Sequence, residues 1–305
     1  MTPAVWHGCY GKPWGRLLVR AAYSHPGRYS RALIQKIYEH LREQGYLLPG
    51  DSVLDLFGGV GTGAMPAIAL GFHWYGVELN PEYVRIANQN FDLWQRLGPH
   101  RGSARILQGD SREDNGLLPG TFRAAVASPP YAQTLTNAGE GPGARWDAKH
   151  HRPGNSHKIS SRRDYGRDPA NLANMSTRRG RHGEPSEFER NALAVIRQAH
   201  RLLRDDGIAV WVTKDYVRRR RRVPFSDSWE ALCVAAGFRC IGRVQASLVD
   251  SRADQLDLFG GRHNRDRQHK GHWRRAMEEA GAPPIDWEDV RFFLKAHEPT
   301  GNSPS

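Results

Sequence analysis

Two short stretches carry residue types that do chemistry. The first is Asp55-Leu56-Phe57-Gly58-Gly59-Val60-Gly61-Thr62-Gly63. Val53 to Phe57 is an apolar run of strand length after a turn at Pro49-Gly50-Asp51, and four glycines follow within six residues. Glycines allow positive φ and let a ligand approach the backbone closely. A helix starting near Thr62 would present free N–H groups and a partial positive charge behind them. Strand, glycine turn and helix start make a nucleotide-type pocket at the carboxyl edge of a parallel sheet. Trp74-Tyr75-Gly76-Val77-Glu78 reads as a second strand ending in an acid, the place from which a carboxylate bonds a ribose diol. The glycines do not fall at GxGxxG spacing, so the pocket points to an adenosine cofactor but not to NAD.

The second stretch is Ser128-Pro129-Pro130-Tyr131, after the apolar strand Phe122 to Ala127. Two prolines fix the backbone and remove two N–H donors, leaving carbonyls to face a ligand as pure acceptors. Ser128 adds a side-chain acceptor and Tyr131 a flat face with a polar tip. Acceptors beside an aromatic plate suit a planar ring bearing an exocyclic amine: they orient its lone pair toward an electrophile while the plate stacks on the ring.

The elements that must position these groups alternate. A helix from about Arg31 to Gln44, capped by Ser30, buries Leu33, Ile34, Ile37, Tyr38 and Leu41. Ala64 to Leu70 is helical, Trp74 to Glu78 a strand, and Asn80-Pro81 opens a helix to about Leu97. Arg105 to Gln108 is a strand ending at Gly109-Asp110-Ser111, and Phe122 to Ala127 a fourth. The β-α-β-α-β-β order implies an α/β, doubly wound, mostly parallel Rossmann-like sheet. A helix from Ser186 to about Leu203, a strand from Gly207 to Lys214, a helix from Trp229 to Ala236 and strand material from Phe238 to Val249 complete it. Residues 1–24 read as an irregular segment and 25–249 as the main domain. Within it, 132–185 is a long, flexible, basic insert with almost no apolar periodicity, read as a lid or target-recognition region. Residues 250–305 read as a polar, basic, partly disordered tail with one short helix at Trp273 to Ala280.

The chain has 305 residues, 39% hydrophobic and 25% charged, with a net charge of +12. Such a surplus favours polyanion partners, most simply nucleic acid. The arginine-rich stretches at 145–181, 218–222 and 262–275 are candidate phosphate contacts. No apolar run approaches the length of a membrane span, and the N-terminus lacks a signal-peptide core, so no membrane partner and a cytoplasmic location are expected. Cys9, Cys233 and Cys240 form no CxxC pair, and the histidines near His150 and His151 show no ligand spacing, so no metal is expected.

The glycine motif at 55–63 followed by Ser128-Pro129-Pro130-Tyr131 resembles the S-adenosylmethionine-dependent amino-methyltransferases of DNA, which make N6-methyladenine or N4-methylcytosine. The resemblance covers roughly residues 25–249. It implies that Asp55, Phe57, Gly58, Gly59, Gly61 and Gly63 line the methionine end of the cofactor, with Thr62 at the helix start. It implies Glu78 at the ribose, Leu79 and Asn80 flanking the adenine, Asp110 at the adenine amine and Ser111 beside it. Ser128, Pro129, Pro130 and Tyr131 would hold a target base flipped from duplex DNA. The segment from His25 onward resembles the part that closes over the cofactor. The amine would attack the sulfonium methyl directly, and no cysteine stands in a Pro-Cys context as C5 methylation would need. Ser128 leans toward cytosine and leaves adenine open. A partner restriction endonuclease is admitted by the resemblance. An RNA amino-methyltransferase and a non-catalytic nucleic-acid-binding protein on the same fold are the alternatives.

Overall fold

A computed structural model describes residues 3–25, 27–130, 168–218, 221–250, 267–268, 281 and 283–295. In chain order the strands are β1 (Ala4–Trp6), β2 (Ser52–Asp55), β3 (His73–Glu78), β4 (Ser103–Gln108), β5 (Phe122–Ala127), β6 (Leu203–Thr213), β7 (Tyr216–Arg218), β8 (Arg221–Val223), β9 (Phe238–Ser247), β10 (Val249–Asp250), β11 (Arg267–Gln268) and β12 (Trp287–Lys295). Of the twelve described strands, eight form one sheet and the pairs β7–β8 and β10–β11 stand apart. The main sheet has the order β1-β9-β12-β6-β5-β2-β3-β4. Every neighbouring pair is parallel except those of β12, which runs antiparallel to both β6 and β9. The chain goes outward from β2 to β3 and β4, then returns to β5 on the other side of β2. The switch point of this doubly wound sheet therefore lies between β2 and β5, where ligands bind outside the carboxyl ends.

Among the described residues five α-helices flank the sheet: α1 (Arg31–Glu43), α2 (Ala64–Ala69), α3 (Pro81–Leu97), α4 (Glu187–Leu202) and α5 (Phe225–Ala235). The buried residues of α1, α2 and α3 join one core cluster, and those of α4 and α5 join a second on the opposite face. Local sequence sets their ends. Asn80 accepts from the N–H groups of Glu82 and Tyr83 at the start of α3. At α4, Ser186 and Glu189 form a reciprocal capping box. Helix α5 starts earlier than its apolar pattern suggests, because Asp215 takes the Ser226 N–H at 3.0 Å. Among the described residues no helix is long and apolar enough to cross a membrane.

Three segments differ from their reading in the sequence. The stretch 250–305 is not all tail, since β12 is a central strand with Val290 and Phe293 fully buried. Its charges hid it: Arg291 is 6% exposed but is paired with Asp227 at 2.6 Å and Glu230 at 2.7 Å from α5. Residues 1–24 hold the edge strand β1 and two short 3₁₀ turns, Gly15–Leu17 and Arg20–Ser24, hung on α3. Trp94 Nε1 donates to the Leu17 carbonyl at 2.6 Å, and Asn90 accepts the Val19 N–H at 2.9 Å. Within the insert, Leu172 and Met175 join the second core and Ala173 is buried beside them, so 172–175 packs, while 178–185 is exposed. Residues 131–167 and the helix expected at 273–280 lie outside the described residues.

Placing β12 at the sheet centre makes its aromatics core residues. Phe293→Ala should lower unfolding free energy by about 3–5 kcal/mol in a denaturant titration. A loss below about 0.5 kcal/mol, the surface value, would return the segment to a tail.

Candidate functional site

The glycine turn leaves β2 and is shaped by three contacts. Gly58 N–H donates to the Val77 carbonyl at 2.9 Å. Gly59 N–H donates to Glu78 Oε2 at 2.9 Å. Asn90 Nδ2 donates to the Val60 carbonyl at 2.8 Å. Gly61 has φ +76°, and a Cβ there would stand 2.6 Å from the Phe91 ring. No side chain fits that position, and the conformation itself favours glycine. Helix α2 begins at Ala64 and has only six residues. Its end therefore adds little charge, and the pocket depends on the turn.

Above the turn the N-terminal segment forms a roof. The His25 ring is buried, packs edge-on against Tyr83 at 4.4 Å and lies over Gly59. Burial, reinforced by the Arg28 charge, lowers its pKa to about 3, so the ring is neutral. Gly27 N–H donates to Nδ1, which assigns the ring proton to Nε2. Trp14 Nε1 reaches the Tyr29 carbonyl at 2.8 Å and closes the roof on α1's entry.

Roof and turn enclose a cavity of about 650 Å³. Of the residues named from the sequence, Phe57, Gly58, Gly59, Thr62, Glu78, Leu79, Asp110, Ser111, Ser128, Pro129 and Pro130 line it. Asp55, Gly61, Gly63 and Asn80 stand behind the wall. Asn80 is spent on capping α3, and Gly61 faces Phe91. Gly63 faces the Trp74 indole and Asp55 Oδ2. Tyr131 lies outside the described residues. The sequence reading missed Tyr10, Trp14, Asn171 and Glu288 in the wall. The scattered aromatics of the first 24 residues were the only signal for the first two.

The carboxyls differ. Asp55 is 1% exposed, and its Oδ1 accepts the Phe57 N–H at 3.0 Å. Among the described residues its Oδ2 has no hydrogen-bond partner. Burial, opposed by that N–H and helped by Glu78, raises its pKa to about 7. Burial likewise lifts Glu78 to about 7 against the N–H groups of Asn80, Gly59 and Leu79. For Asp110, partial burial pushes upward, but the Arg112 guanidinium on both oxygens wins and holds it below the usual range. Ser111 Oγ donates to the Leu56 carbonyl at 2.5 Å, joining the β4 loop to the end of β2.

Of the arginine run, Arg218 and Arg221–Arg222 lie in the antiparallel pair β7–β8 just past the end of β6. Arg222 is a strut in it, bonding Asp215 at 2.7 Å and lying 5.1 Å from the Trp287 ring. Among the described residues no cluster of three or more His, Cys, Asp or Glu is placed to hold a metal.

Residues 4–89 match a family model described as DNA methylase, of the N6/N4 type. The matched family is the one the two motifs resemble. The methylase match runs from β1 into α3 and takes in the glycine turn and Glu78; Asp110 and Ser128–Pro130 lie beyond it. Over 76 residues the chain is 31% identical to the Type II methyltransferase M.BglI of Bacillus subtilis, covering 25% of this chain and 20% of that protein. The match thus spans one fifth of that relative's length. Similar solved structures include TrmN from Thermus thermophilus, 17% identical, with a TM-score of 0.45 over 90% of this chain and 52% of that one. Another is magnesium protoporphyrin IX methyltransferase from Synechocystis, 12% identical, TM-score 0.45, over 87% and 79%.

Two predictions come from this geometry. Gly61→Ala should abolish adenosine-cofactor binding in calorimetry while the protein stays folded by circular dichroism; unchanged affinity would remove the turn from the site. A raised carboxyl pKa contributes stability that is present below the unfolded value and lost as pH rises through the folded one. Asp55→Asn should therefore gain stability relative to the unliganded parent between about pH 4 and about pH 7 and then run parallel. A difference flat across that range would mean Asp55 is ionised throughout.

Proposed function

We infer that the protein is an S-adenosylmethionine-dependent amino-methyltransferase acting on DNA, at N4 of cytosine or N6 of adenine. The observation that carries this reading is that the glycine turn with Glu78 and the Ser128–Pro130 edge open into one cavity. The net charge of +12 and the N6/N4 methylase match of residues 4–89 support a DNA substrate.

The residues suit the cofactor. Gly58 and Gly59 expose backbone at the turn, and Glu78 keeps acceptor capacity beyond the N–H groups of Gly59, Asn80 and Leu79. Leu79 offers an apolar face, and Asp110 retains acceptor capacity beside Arg112. The buried Oδ2 of Asp55 under the turn is an unused acceptor on the methionine side. When bound there, S-adenosylmethionine supplies a methyl group on a sulfonium, a strong electrophile.

The chain's own part is positioning and exclusion of water. Ser128 and the carbonyls before Pro129 and Pro130 accept the amine hydrogens and aim its lone pair. Tyr131 stacks on the ring. Held this way, the amine would be placed to take the methyl group that the cofactor supplies, and the methylated amine would release one proton to solvent. The target must leave the stack to reach this cavity, which is base flipping. The His25 ring, being neutral, adds no positive charge of its own against the sulfonium.

Tyr131→Ala should cut methyl transfer to mixed-sequence duplex DNA about a hundredfold or more while cofactor affinity changes little, given about 1–3 kcal/mol for one base stack plus lost orientation. Nucleosides from treated DNA, separated by mass spectrometry, read both the product and the base. Equal loss of cofactor affinity would take Tyr131 out of the acceptor side. Absence of either methylated base with folded, cofactor-bound parent protein would overturn DNA as the substrate.

A further inference from the structure

Glu288 stands in the cavity wall and has no part in the site as read from the motifs. Its position follows from β12, the strand that runs antiparallel to its neighbours in the main sheet. In the sheet, Ala127 of β5 pairs with Trp211 of β6, and Trp211 pairs with Arg291 of β12. Three residues beyond Ala127 is Pro130. Because β12 runs the other way, three residues before Arg291 is Glu288, level with Pro130 and two strands away, about 10 Å across the sheet.

Side-chain alternation puts Glu288 on the working face. Val53, Trp74, Val126 and Val290 all belong to the core cluster under α1–α3. Asp55, Glu78, Ser128 and Glu288 each stand an even number of residues from one of them, so all four project from that face toward one edge. Along that edge Glu78 lies at the β3 end, Ser128 in the middle and Glu288 at the β12 end, with Val212 of β6 filling the wall between the last two. If the cofactor takes the end with Glu78 and Asp110, Glu288 is left at the acceptor's end. Tyr10 O–H donates to its Oε2 at 2.6 Å and fixes it there.

We propose that Glu288 is a substrate-contact residue that hydrogen-bonds the ring nitrogen beside the exocyclic amine of the methyl-accepting base. The proposal rests on the amino-methyltransferase reading. The Ser128–Pro130 acceptors take the amine hydrogens, and a carboxylic acid at Glu288 donates its O–H to N3 of cytosine or N1 of adenine. Thymine and guanine present an N–H at that place and a carbonyl in place of the amine, so the same acid rejects them. Burial pushes the Glu288 carboxyl above the usual range, against the Tyr10 hydrogen bond and the Lys214 charge. With Tyr10 on Oε2, Oε1 is the oxygen free to carry the proton.

The test separates this contact from methyl transfer itself. Full-length protein saturated with S-adenosylhomocysteine is titrated with each of the four deoxynucleosides by saturation-transfer NMR. The parent should prefer deoxycytidine or deoxyadenosine to thymidine and deoxyguanosine by about tenfold or more. Glu288→Gln, whose amide donates and accepts as the neutral acid does, should keep that preference and lose the parent's weakening at alkaline pH. Glu288→Ala should lose the preference. A parent without preference, an Ala variant that keeps it, or a Gln variant that loses it would each overturn the proposal. Should the Ala variant fail to fold, the pH dependence of parent against Gln variant still decides. Preference without methyl transfer to DNA would leave the contact standing and refute the reading beneath it.

Discussion

A buried carboxyl bonded by backbone N–H groups holds the site together. Glu78 closes β3 and takes the Gly59 N–H on one oxygen and the Asn80 N–H on the other, each at 2.9 Å. One side chain thus joins the glycine turn, the end of a strand and the start of α3. Removing it would leave the buried Gly59 N–H unpaired, at a cost of about 1–3 kcal/mol, along with the part-buried Asn80 N–H, and would free the turn at the point where the cavity needs it fixed. Helix α3 then reaches back from the same junction. Its Asn90 holds Val60 in the turn and Val19 in the roof, and its Trp94 holds Leu17. Turn, roof and cavity depth all descend from that anchor.

The second constraint is the parity of the strands. Parallel strands deliver their last side chains to one edge, and alternation sends Asp55, Glu78 and Ser128 out of the same face. A parallel β12 would have brought a different residue there. Inserted antiparallel, it contributes its first turn of charge, Glu288, to the edge and sends Arg291 to the opposite face, where Asp227 and Glu230 neutralise it. One reversed strand therefore serves both the core and the cavity.

Sequence made the central alternation legible because β2, β3 and β5 are short apolar runs bounded by glycine or proline, and because α1, α3 and α4 carry helical spacing with clear caps. The cavity-lining glycines and Ser128–Pro130 were legible for the same reason: their backbone needs restrict residue choice. β12 was not, since Trp287-Glu288-Asp289-Val290-Arg291 reads as surface until its long-range ion pairs are known. The roof was missed because its structure is held by side-chain bonds to a helix some 70 residues away, which no local pattern records. Asp55 and Asn80 were placed in the right neighbourhood, but one lies beneath the turn and the other caps a helix.

The central claim is that donor and acceptor share one cavity along the sheet edge. The most direct test is a crystal structure of the protein with S-adenosylhomocysteine. The ribose should lie at Glu78 and the thioether sulfur should face Ser128–Pro130, with open space toward Glu288. A ligand whose sulfur points away from Ser128, or one bound outside the roof of His25, would contradict it.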